Sequence, residues 1–142
     1  MRELQAVGIP AELTTVGVDV VDVDRFRRAL LRRRGLLDRL FTVSEREYAG
    51  RFGDPTPHLA ARFAAKEATM KALGVGISGF RFSDVEVVRS TSGQPTLRLA
   101  GTASNAALDR GARVGSVSLS HTATVALAVV AMRVAAPKGG DC

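Results

Sequence analysis

One segment of the chain has the spacing of a long amphipathic helix but carries charge on its apolar side. It spans residues 61–77, with the sequence ARFAAKEATMKALGVGI. At about 100° per residue, Lys66 projects within the apolar stripe formed by Leu59, Phe63, Met70 and Leu73, and Glu67 lies at the edge of the same stripe. An unpaired buried charge is costly or becomes neutral. Any fold of this chain must therefore give these two side chains a partner, solvent or a ligand.

Two interpretations of these charges are open. In the first, Lys66 extends along the stripe to reach water, and Glu67 pairs with Lys71 one turn later, a contact worth about 0.3–0.5 kcal/mol. In the second, the charges belong to a functional site. Taken by itself, the helix favours the first interpretation.

A strand with an acidic residue at its centre is predicted near the start of the chain. Residues 14–23, TTVGVDVVDV, are rich in β-branched side chains. Gly17 would allow another backbone to approach closely. Asp19 interrupts the apolar run, so a specific role must account for an acidic residue at the centre of this strand.

The remaining segments alternate between helix and strand patterns without a regular βαβ order. Asp22 or Asp24 can cap the helix that follows the first strand, which should stop at Gly35. The other predicted elements are a capping-box helix at 44–47, the helix at 61–77 ended by Gly74 and Gly76, a hairpin of strands at 82–90 and 95–100, a helix at 102–111 capped by Thr102, and strands at 116–121 and 124–132. This order indicates an α+β domain in which a mostly antiparallel sheet packs against helices.

Length and composition fit one domain in a reducing compartment. The 142 residues are 46% hydrophobic, and we expect a flexible lead at 1–13, a domain at 14–134 and a disordered tail at 135–142. Cys142 is the only cysteine, which excludes an intrachain disulfide and suits the cytoplasm. There is no signal-peptide pattern, and the longest apolar run, 125–132, is far short of the ~20 residues of a membrane helix.

Positive charge is concentrated in one short region. The net charge is +6, which favours anionic partners. Seven arginines lie close together and are opposed there only by Asp38; they are Arg25, Arg27, Arg28, Arg32, Arg33, Arg34 and Arg39. The positive electrostatic field of these arginines suits an acidic protein partner. The alternative function, a non-catalytic module that binds RNA or an acidic protein through the Arg25–Arg39 helix, stays open. The low aromatic content of 5% weighs against a surface that stacks bases.

Asp19 and Glu67 are candidate metal ligands. They are far apart in sequence, so only the fold could join them. Two carboxylates together with phosphate oxygens suit Mg²⁺, and would support metal-assisted phosphoryl chemistry. Structural roles remain open for both: a strand-end Asp that binds backbone amides, and a Glu in a helix ion pair.

Three motifs together resemble one enzyme family. They are VGVDVVDVDRF at 16–26, RFAAKEATMKALGVGI at 62–77 and SVSLSHT at 116–122. A Gly-x-Asp strand followed by a Lys-Glu-x-x-x-Lys helix, in this order and spacing, is similar to the short phosphopantetheinyl transferases, the holo-[acyl-carrier-protein] synthase family. The resemblance covers residues 16–130, and it favours the second interpretation of the charged helix.

The resemblance implies roles for individual residues. Asp19 and Glu67 would be the ligands of a Mg²⁺ ion that also binds the pyrophosphate of coenzyme A, the co-substrate. Lys66 and Lys71 would lie near phosphate. The other implied roles are catalysis by Asp19, Glu67 and Lys71, contacts of Arg62 and His121 with the nucleotide part of coenzyme A, and docking of an acidic carrier helix by Arg25 with Arg28 and Arg32.

The implied reaction transfers 4′-phosphopantetheine from coenzyme A to a serine of apo acyl carrier protein and releases adenosine 3′,5′-bisphosphate. Glu67 or a water held by the ion would take the serine proton; we favour the water, because a carboxylate committed to an ion is a poorer base. The family fold implies a homotrimer with active sites between subunits. We expect neither a nucleic-acid partner nor a membrane, and the carrier could serve fatty acid or polyketide synthesis.

The chain departs from the family pattern after its Ser-His pair. Ala123, Thr124 and Val125 stand where charged or aromatic residues are usual, which affects carrier preference rather than the chemistry.

Overall fold

A long central helix lies against an antiparallel sheet formed by the two ends of the described chain. The computed structural model describes residues 12–135. Its elements are β1 (Glu12–Asp22), α1 (Val23–Arg32), α2 (Leu36–Leu40), α3 (Val43–Ala49), α4 (Thr56–Leu73), a 3₁₀ turn (Phe82–Asp84), β2 (Val85–Arg89), β3 (Pro95–Leu99), α5 (Gly101–Asp109), β4 (Ala112–His121) and β5 (Val125–Ala135). The sheet order is β1-β5-β4, and β2 pairs with β3 in a separate hairpin. All pairings are antiparallel, so the predicted α+β class is confirmed.

Strand β1 and helix α4 touch through their backbones. A β-carbon at Gly17 would lie 1.8 Å from the carbonyl oxygen of Ala68 and 2.8 Å from the amide nitrogen of Ala72. The Thr15 hydroxyl donates to the Ala72 carbonyl at 2.7 Å. The expected close approach at Gly17 is therefore confirmed, and it sets the distance between strand and helix.

Helix α4 is buried around most of its circumference. Alanines at positions 60, 61, 64, 65 and 68 are almost fully covered, and so are the polar side chains of Arg62, Lys66 and Thr69. Such a helix does not have a solvent-exposed face opposite a buried face. The amphipathic pattern predicted at 61–77 therefore understates its burial. The helix begins earlier than predicted, at Thr56, and Gly74 ends it with a φ of 70°.

Two predicted helix ends are confirmed in part. Asp22 caps α1, because its Oδ1 accepts a hydrogen bond of 2.7 Å from the amide of Arg25. The helix ends at Arg32, and Gly35, with a φ of 80°, begins α2 instead of ending α1. The left-handed conformation of Gly35 is therefore confirmed, but the prediction that this glycine ends α1 was wrong.

Two predicted caps were wrong. The capping box of α3 is formed by Thr42 and Glu45, not by Ser44. Thr102 does not cap α5, which begins after Ala100; instead its amide and hydroxyl both donate to Asp84 Oδ2, at 2.8 and 2.6 Å. Thr42 makes the cap hydrogen bonds at α3, whereas the N-cap residue of α5, Ala100, makes no side-chain cap hydrogen bond.

The described strands reach slightly past the predicted domain limits of 14 and 134, since β1 starts at Glu12 and β5 ends at Ala135. The rest of the predicted lead and tail, with Cys142, lies outside the described residues. Within residues 12–135, no helix combines the length and apolar character needed to cross a membrane.

Candidate active site

Two acidic residues that are distant in sequence come together where β1 passes α4. Asp19 is 8% exposed on the helix-facing side of β1. Glu67 lies on α4, and its pKa is raised to about 7 by burial, by the negative charge of Asp19 and by hydrogen bonding with Asp19. The structure thus joins the two candidate metal ligands. Their mutual repulsion marks a place where positive charge would be stabilised.

Lys71 supplies part of that positive charge. Its Nζ donates to Asp19 Oδ1 at 3.1 Å and to the carbonyl oxygen of Val18 at 2.9 Å. The side chain remains 57% exposed, so its ammonium group can also reach a ligand from solvent. The hydrogen-bond partner of Lys71 is Asp19, not Glu67 as the helix spacing suggested.

The two carboxylates fit a divalent cation. Asp19 Oδ2 is buried and has no hydrogen-bond partner among the described residues. An oxygen left in this state is costly unless something binds it. Residues 12–135 contain no cluster of three or more metal-ligating side chains. Two carboxylates that leave room for water and substrate phosphate are a donor set that suits Mg²⁺.

A cleft of 990 Å³ opens beside the acid pair. Its charged end holds Asp19, Glu67 and Lys71, and its mouth includes Arg25 and Arg33. Its remaining wall is mostly apolar; that wall includes Phe26, Leu36, Leu40, Phe63, Met70 and Phe82. The cleft is thus suited to a ligand with an anionic end and a partly apolar arm.

Lys66 lies elsewhere, inside the protein. Its side chain is fully buried, and its Nζ donates to Glu45 Oε1 at 2.7 Å, to the carbonyl oxygen of Phe82 at 3.0 Å and to that of Val85. Burial lowers the pKa of Lys66, and the charge of Glu45 opposes that shift. Because all three ammonium protons have acceptors, this chain does not offer them to a phosphate. Lys66 also does not reach water, so the snorkelling interpretation was wrong.

A second group of side chains surrounds Arg62. Its guanidinium lies 4.1 Å from the centre of the Tyr48 ring, and that of Arg89 lies 4.9 Å from the same ring. Arg62 is 2% exposed, and its Nη1 donates to the His58 carbonyl at 3.4 Å. Burial lowers the pKa of Arg62. Its Nε finds no hydrogen-bond partner in the described part of the chain.

His121 belongs to this second group through His58. The two imidazole rings are 4.7 Å apart, and the His58 ring stacks on Phe52 at 3.6 Å. Burial lowers the pKa of His58, and the neighbouring charges of His121, Arg62 and Arg89 act in the same direction. The group is therefore aromatic and cationic, a combination that suits a ring and an anion.

The two groups lie on different sides of α4. Arg62 and Glu67 are five residues apart, which places them roughly 140° apart around a helix. One continuous site would require Arg62 and His121 to lie beside Asp19 and Glu67. Within one subunit they do not. A single chain presents them as separate surfaces.

The arginines of the basic segment have two different roles. Arg25, Arg28 and Arg32 are exposed on α1, and Arg25 also lines the cleft. Arg27 is turned away from them: its Nη1 and Nη2 bind the two carboxylate oxygens of Asp54 at 3.0 and 2.9 Å. Arg27 thus ties α1 to the start of α4.

Several residues of these two groups were not predicted from the sequence. His58, Tyr48, Phe52 and Arg89 surround Arg62 and His121, and His58 is the only other histidine of the chain, which was a usable signal. Glu45 was missed because the capping box was assigned to Ser44.

Comparison with known proteins gives a consistent result. The family model of the 4′-phosphopantetheinyl transferase superfamily matches residues 15–129. Holo-[acyl-carrier-protein] synthase from Salinispora arenicola is 50% identical over 83% of this chain and 96% of its own. The synthase from Clavibacter michiganensis is 47% identical over 86% and 97%.

Solved structures agree with the sequence comparison. The Chronobacterium ammoniagenes ACPS–CoA complex has a TM-score of 0.78 at 30% identity, over 87% of this chain and 99% of that one. A Helicobacter pylori synthase in complex with coenzyme A has a TM-score of 0.67 at 30% identity, over 81% and 96%. With a family match over most of its length and a close likeness in fold, this chain belongs to the 4′-phosphopantetheinyl transferase superfamily.

Proposed function

We propose that this chain transfers 4′-phosphopantetheine from coenzyme A to a serine hydroxyl of apo acyl carrier protein, in a Mg²⁺-dependent reaction that releases adenosine 3′,5′-bisphosphate. The observation that carries the proposal is the meeting of Asp19, Glu67 and Lys71 at the charged end of the cleft. Relatives named holo-[acyl-carrier-protein] synthase support the activity, and the ACPS–CoA complex supports the co-substrate.

Asp19 and Glu67 would hold the magnesium ion. When bound, the ion supplies positive charge that stabilises the transferred phosphoryl group and the leaving phosphate. The half-exposed ammonium of Lys71 lies beside Asp19, where it can donate to a phosphate oxygen as negative charge develops.

The bonds that change are those of one phosphorus. The serine oxygen bonds to the phosphorus that carries the pantetheine arm, and the bond from that phosphorus to the bridging oxygen breaks, leaving adenosine 3′,5′-bisphosphate. The serine proton goes to Glu67 or to a water molecule of the cleft. We favour the water, because Glu67 is engaged in holding the cation.

The nucleotide part of coenzyme A is proposed to lie on the second group, around Arg62 and His121. The group offers aromatic faces to a base, and the buried Arg62 and the exposed Arg89 to a phosphate. Because Arg62 and Glu67 point to different sides of α4, we propose that the acid pair of one subunit and the Arg62–His121 group of a neighbour form one site.

A homotrimer would supply that arrangement. The outer face of β1 exposes Val16, Val18 and Val20, at 58%, 45% and 61%. A row of apolar side chains on the open face of a sheet is typical of a surface that another chain covers. We propose that this face lies at the subunit contact.

The carrier is proposed to dock on α1. Arg25, Arg28 and Arg32 are exposed, and Arg25 reaches the cleft in which the serine must lie. Positive side chains here would attract an acidic carrier and orient it. Carriers of fatty acid or polyketide synthesis both suit this surface, and the single cysteine supports a cytoplasmic setting.

Incubation of the chain with coenzyme A, Mg²⁺ and a panel of apo carriers tests the proposal. Mass spectrometry should find one added phosphopantetheine on at least one carrier. Asp19→Ala and Glu67→Ala should abolish the modification, whereas Glu47→Ala, an exposed acid on α3, should leave it intact. Failure of the folded wild-type chain to modify any carrier would refute the proposal.

A further inference from the structure

An ion pair lies in the interior directly behind the cleft. Lys66 Nζ and Glu45 Oε1 are 2.7 Å apart, and both side chains are 0% exposed. Lys66 precedes Glu67 on α4, but among the described residues neither side chain of the pair makes a hydrogen bond or ion pair with Asp19 or Glu67. The proposed reaction therefore gives this pair no direct part.

The pair joins four separate segments. Lys66 donates to the carbonyl oxygens of Phe82 and Val85. Glu45 Oε1 accepts from the amide of Thr42 at 3.1 Å, and Glu45 Oε2 accepts from the amide of Val87 at 3.1 Å. The start of α3, the middle of α4, the 3₁₀ turn and β2 are thus held by two side chains.

The 3₁₀ turn, one of the four segments held by this pair, contributes Phe82 to the apolar wall of the cleft. Phe82 lines the cleft, and its ring lies 5.5 Å from that of Phe63, which stacks on Phe26 at 5.1 Å. Phe63 belongs to α4, whereas Phe82 belongs to the 3₁₀ turn. The hydrogen bond from Lys66 to the Phe82 carbonyl fixes the turn against the helix and so sets the distance between the two rings.

Stability alone does not account for a buried pair of this kind. Removing two charges from water costs about as much as their attraction returns, and well-packed apolar replacements are often equally stable. What such a pair adds is a defined arrangement of the segments that it joins. Here, that arrangement is the position of the cleft wall.

We propose that Lys66 and Glu45 are positioning residues that hold Phe82 in place, so that the apolar wall of the cleft fits the aliphatic part of the phosphopantetheine arm. This proposal rests on the proposed function. It gives Lys66 a role through the Phe82 backbone in place of the expected contact with phosphate.

The test compares the wild type with the double variant Lys66→Met/Glu45→Gln, which removes both charges with little change in volume. The double variant should stay folded, with KM for coenzyme A raised about tenfold and kcat changed by less than about threefold. Phe82→Ala should give a similar rise. Adding Phe82→Ala to the double variant should then produce little further change, because the wall is already displaced, whereas independent effects would multiply.

Hydrogen exchange provides a readout that does not need turnover. Backbone amides at 82–87 should exchange faster in the double variant, with those of β4 and β5 unchanged. Unchanged exchange at 82–87 would overturn the proposal. In a folded, active double variant, an unchanged KM for coenzyme A would also overturn it. So would effects of the double variant and of Phe82→Ala on KM that multiply when the substitutions are combined. Absence of transfer by the wild type would count against the proposed function alone, since the exchange result decides the positioning role separately.

Discussion

Gly17 on β1 meets Ala68 on α4 so closely that no side chain fits between the two backbones; a β-carbon at Gly17 would lie 1.8 Å from the Ala68 carbonyl oxygen. Asp19 lies two residues further along the strand on the same face, and Glu67 is the helix neighbour of Ala68. The contact at Gly17 therefore determines how closely the two carboxylates approach.

Gly17→Ala should destabilise the fold and disturb the acid pair, because the atom that it meets belongs to a helix backbone that cannot rotate away. We expect a loss of about 3 kcal/mol or more in the free energy of unfolding, measured by urea titration, since overpacking of a core commonly costs about 1–3 kcal/mol even among side chains.

Gly53→Ala is the matched control. Apart from Gly53 itself and its two chain neighbours, no heavy atom of residues 12–135 lies within 4 Å of the position its β-carbon would take. Its stability should remain within about 0.5 kcal/mol of the wild type. Equal stability of the two variants would contradict the packing account.

The raised pKa of Glu67 predicts how the stability of the metal-free protein depends on pH. The folded pKa of about 7 lies above the ordinary glutamate value of 4.5, so the folded state binds this proton more tightly than the unfolded state does. The contribution is fully present below about pH 4.5 and is lost as pH rises through 7. Urea unfolding in the presence of a chelator should show this loss in the wild type relative to Glu67→Gln.

Asp19→Asn should lower the pKa of Glu67, because the neighbouring negative charge is one of its causes. Burial remains as the largest cause, so the pKa should stay above 4.5. A carboxyl-carbon NMR titration of the metal-free variant measures it directly. An unchanged pKa near 7 would mean that the two carboxylates do not interact.

Mg²⁺ should stabilise the chain through the same two residues. The melting temperature should rise with Mg²⁺ concentration, as for any ligand that binds only the folded state, and a chelator should reverse the rise. Asp19→Asn and Glu67→Gln should each remove most of it, whereas Glu47→Gln, exposed on α3, should not. A full rise in the Asp19→Asn variant would exclude Asp19 as a ligand.

The sequence predicts local features of this fold better than it predicts contacts between distant segments. The Asp22 cap and the helix end at Gly74 depend on backbone geometry within a few residues, and both are confirmed. At Gly17 the sequence predicted the close approach of another backbone, which is confirmed, but it did not indicate that this backbone belongs to Ala68 and Ala72. Lys66 was correctly placed on a buried stripe, but its partner Glu45 lies 21 residues earlier. No local spacing rule connects a helix-start residue with the middle of the next long helix.

The same limit applies to the candidate site. Asp19 and Glu67 could be named as candidate ligands from their residue types, but only the family resemblance favoured their meeting, because spacing gives no distance between a strand and a helix 48 residues apart. The group around His121 shows the limit again: His58 was visible in the sequence, but its contact with His121 depends on how α4 crosses the end of β4.

Charge reversal on α1 should weaken carrier docking and spare coenzyme A. In Arg32→Glu, KM for the apo carrier should rise about tenfold or more, and KM for coenzyme A should change little, since rim charges act mainly on association with the charged partner. Added salt should shrink the difference from the wild type. Arg110→Glu, which makes the same charge change at the residue that follows α5, is the control; an equal effect there would point to net charge instead of a docking surface.

If the active site is shared between subunits, two variants that are damaged in different halves of the site should regain activity when they assemble together. Asp19→Ala damages the acid pair, and His121→Ala damages the second group. Each variant alone should be inactive or nearly so. If one site takes its acid pair and its histidine from neighbouring chains, trimers that contain both variants should regain about a third of wild-type turnover, because one of their three contacts then joins two intact halves. The variants should be co-expressed with different tags, purified through both tags in sequence, and assayed against an apo carrier. Activity no greater than that of the separate variants would place both groups of a working site within one chain.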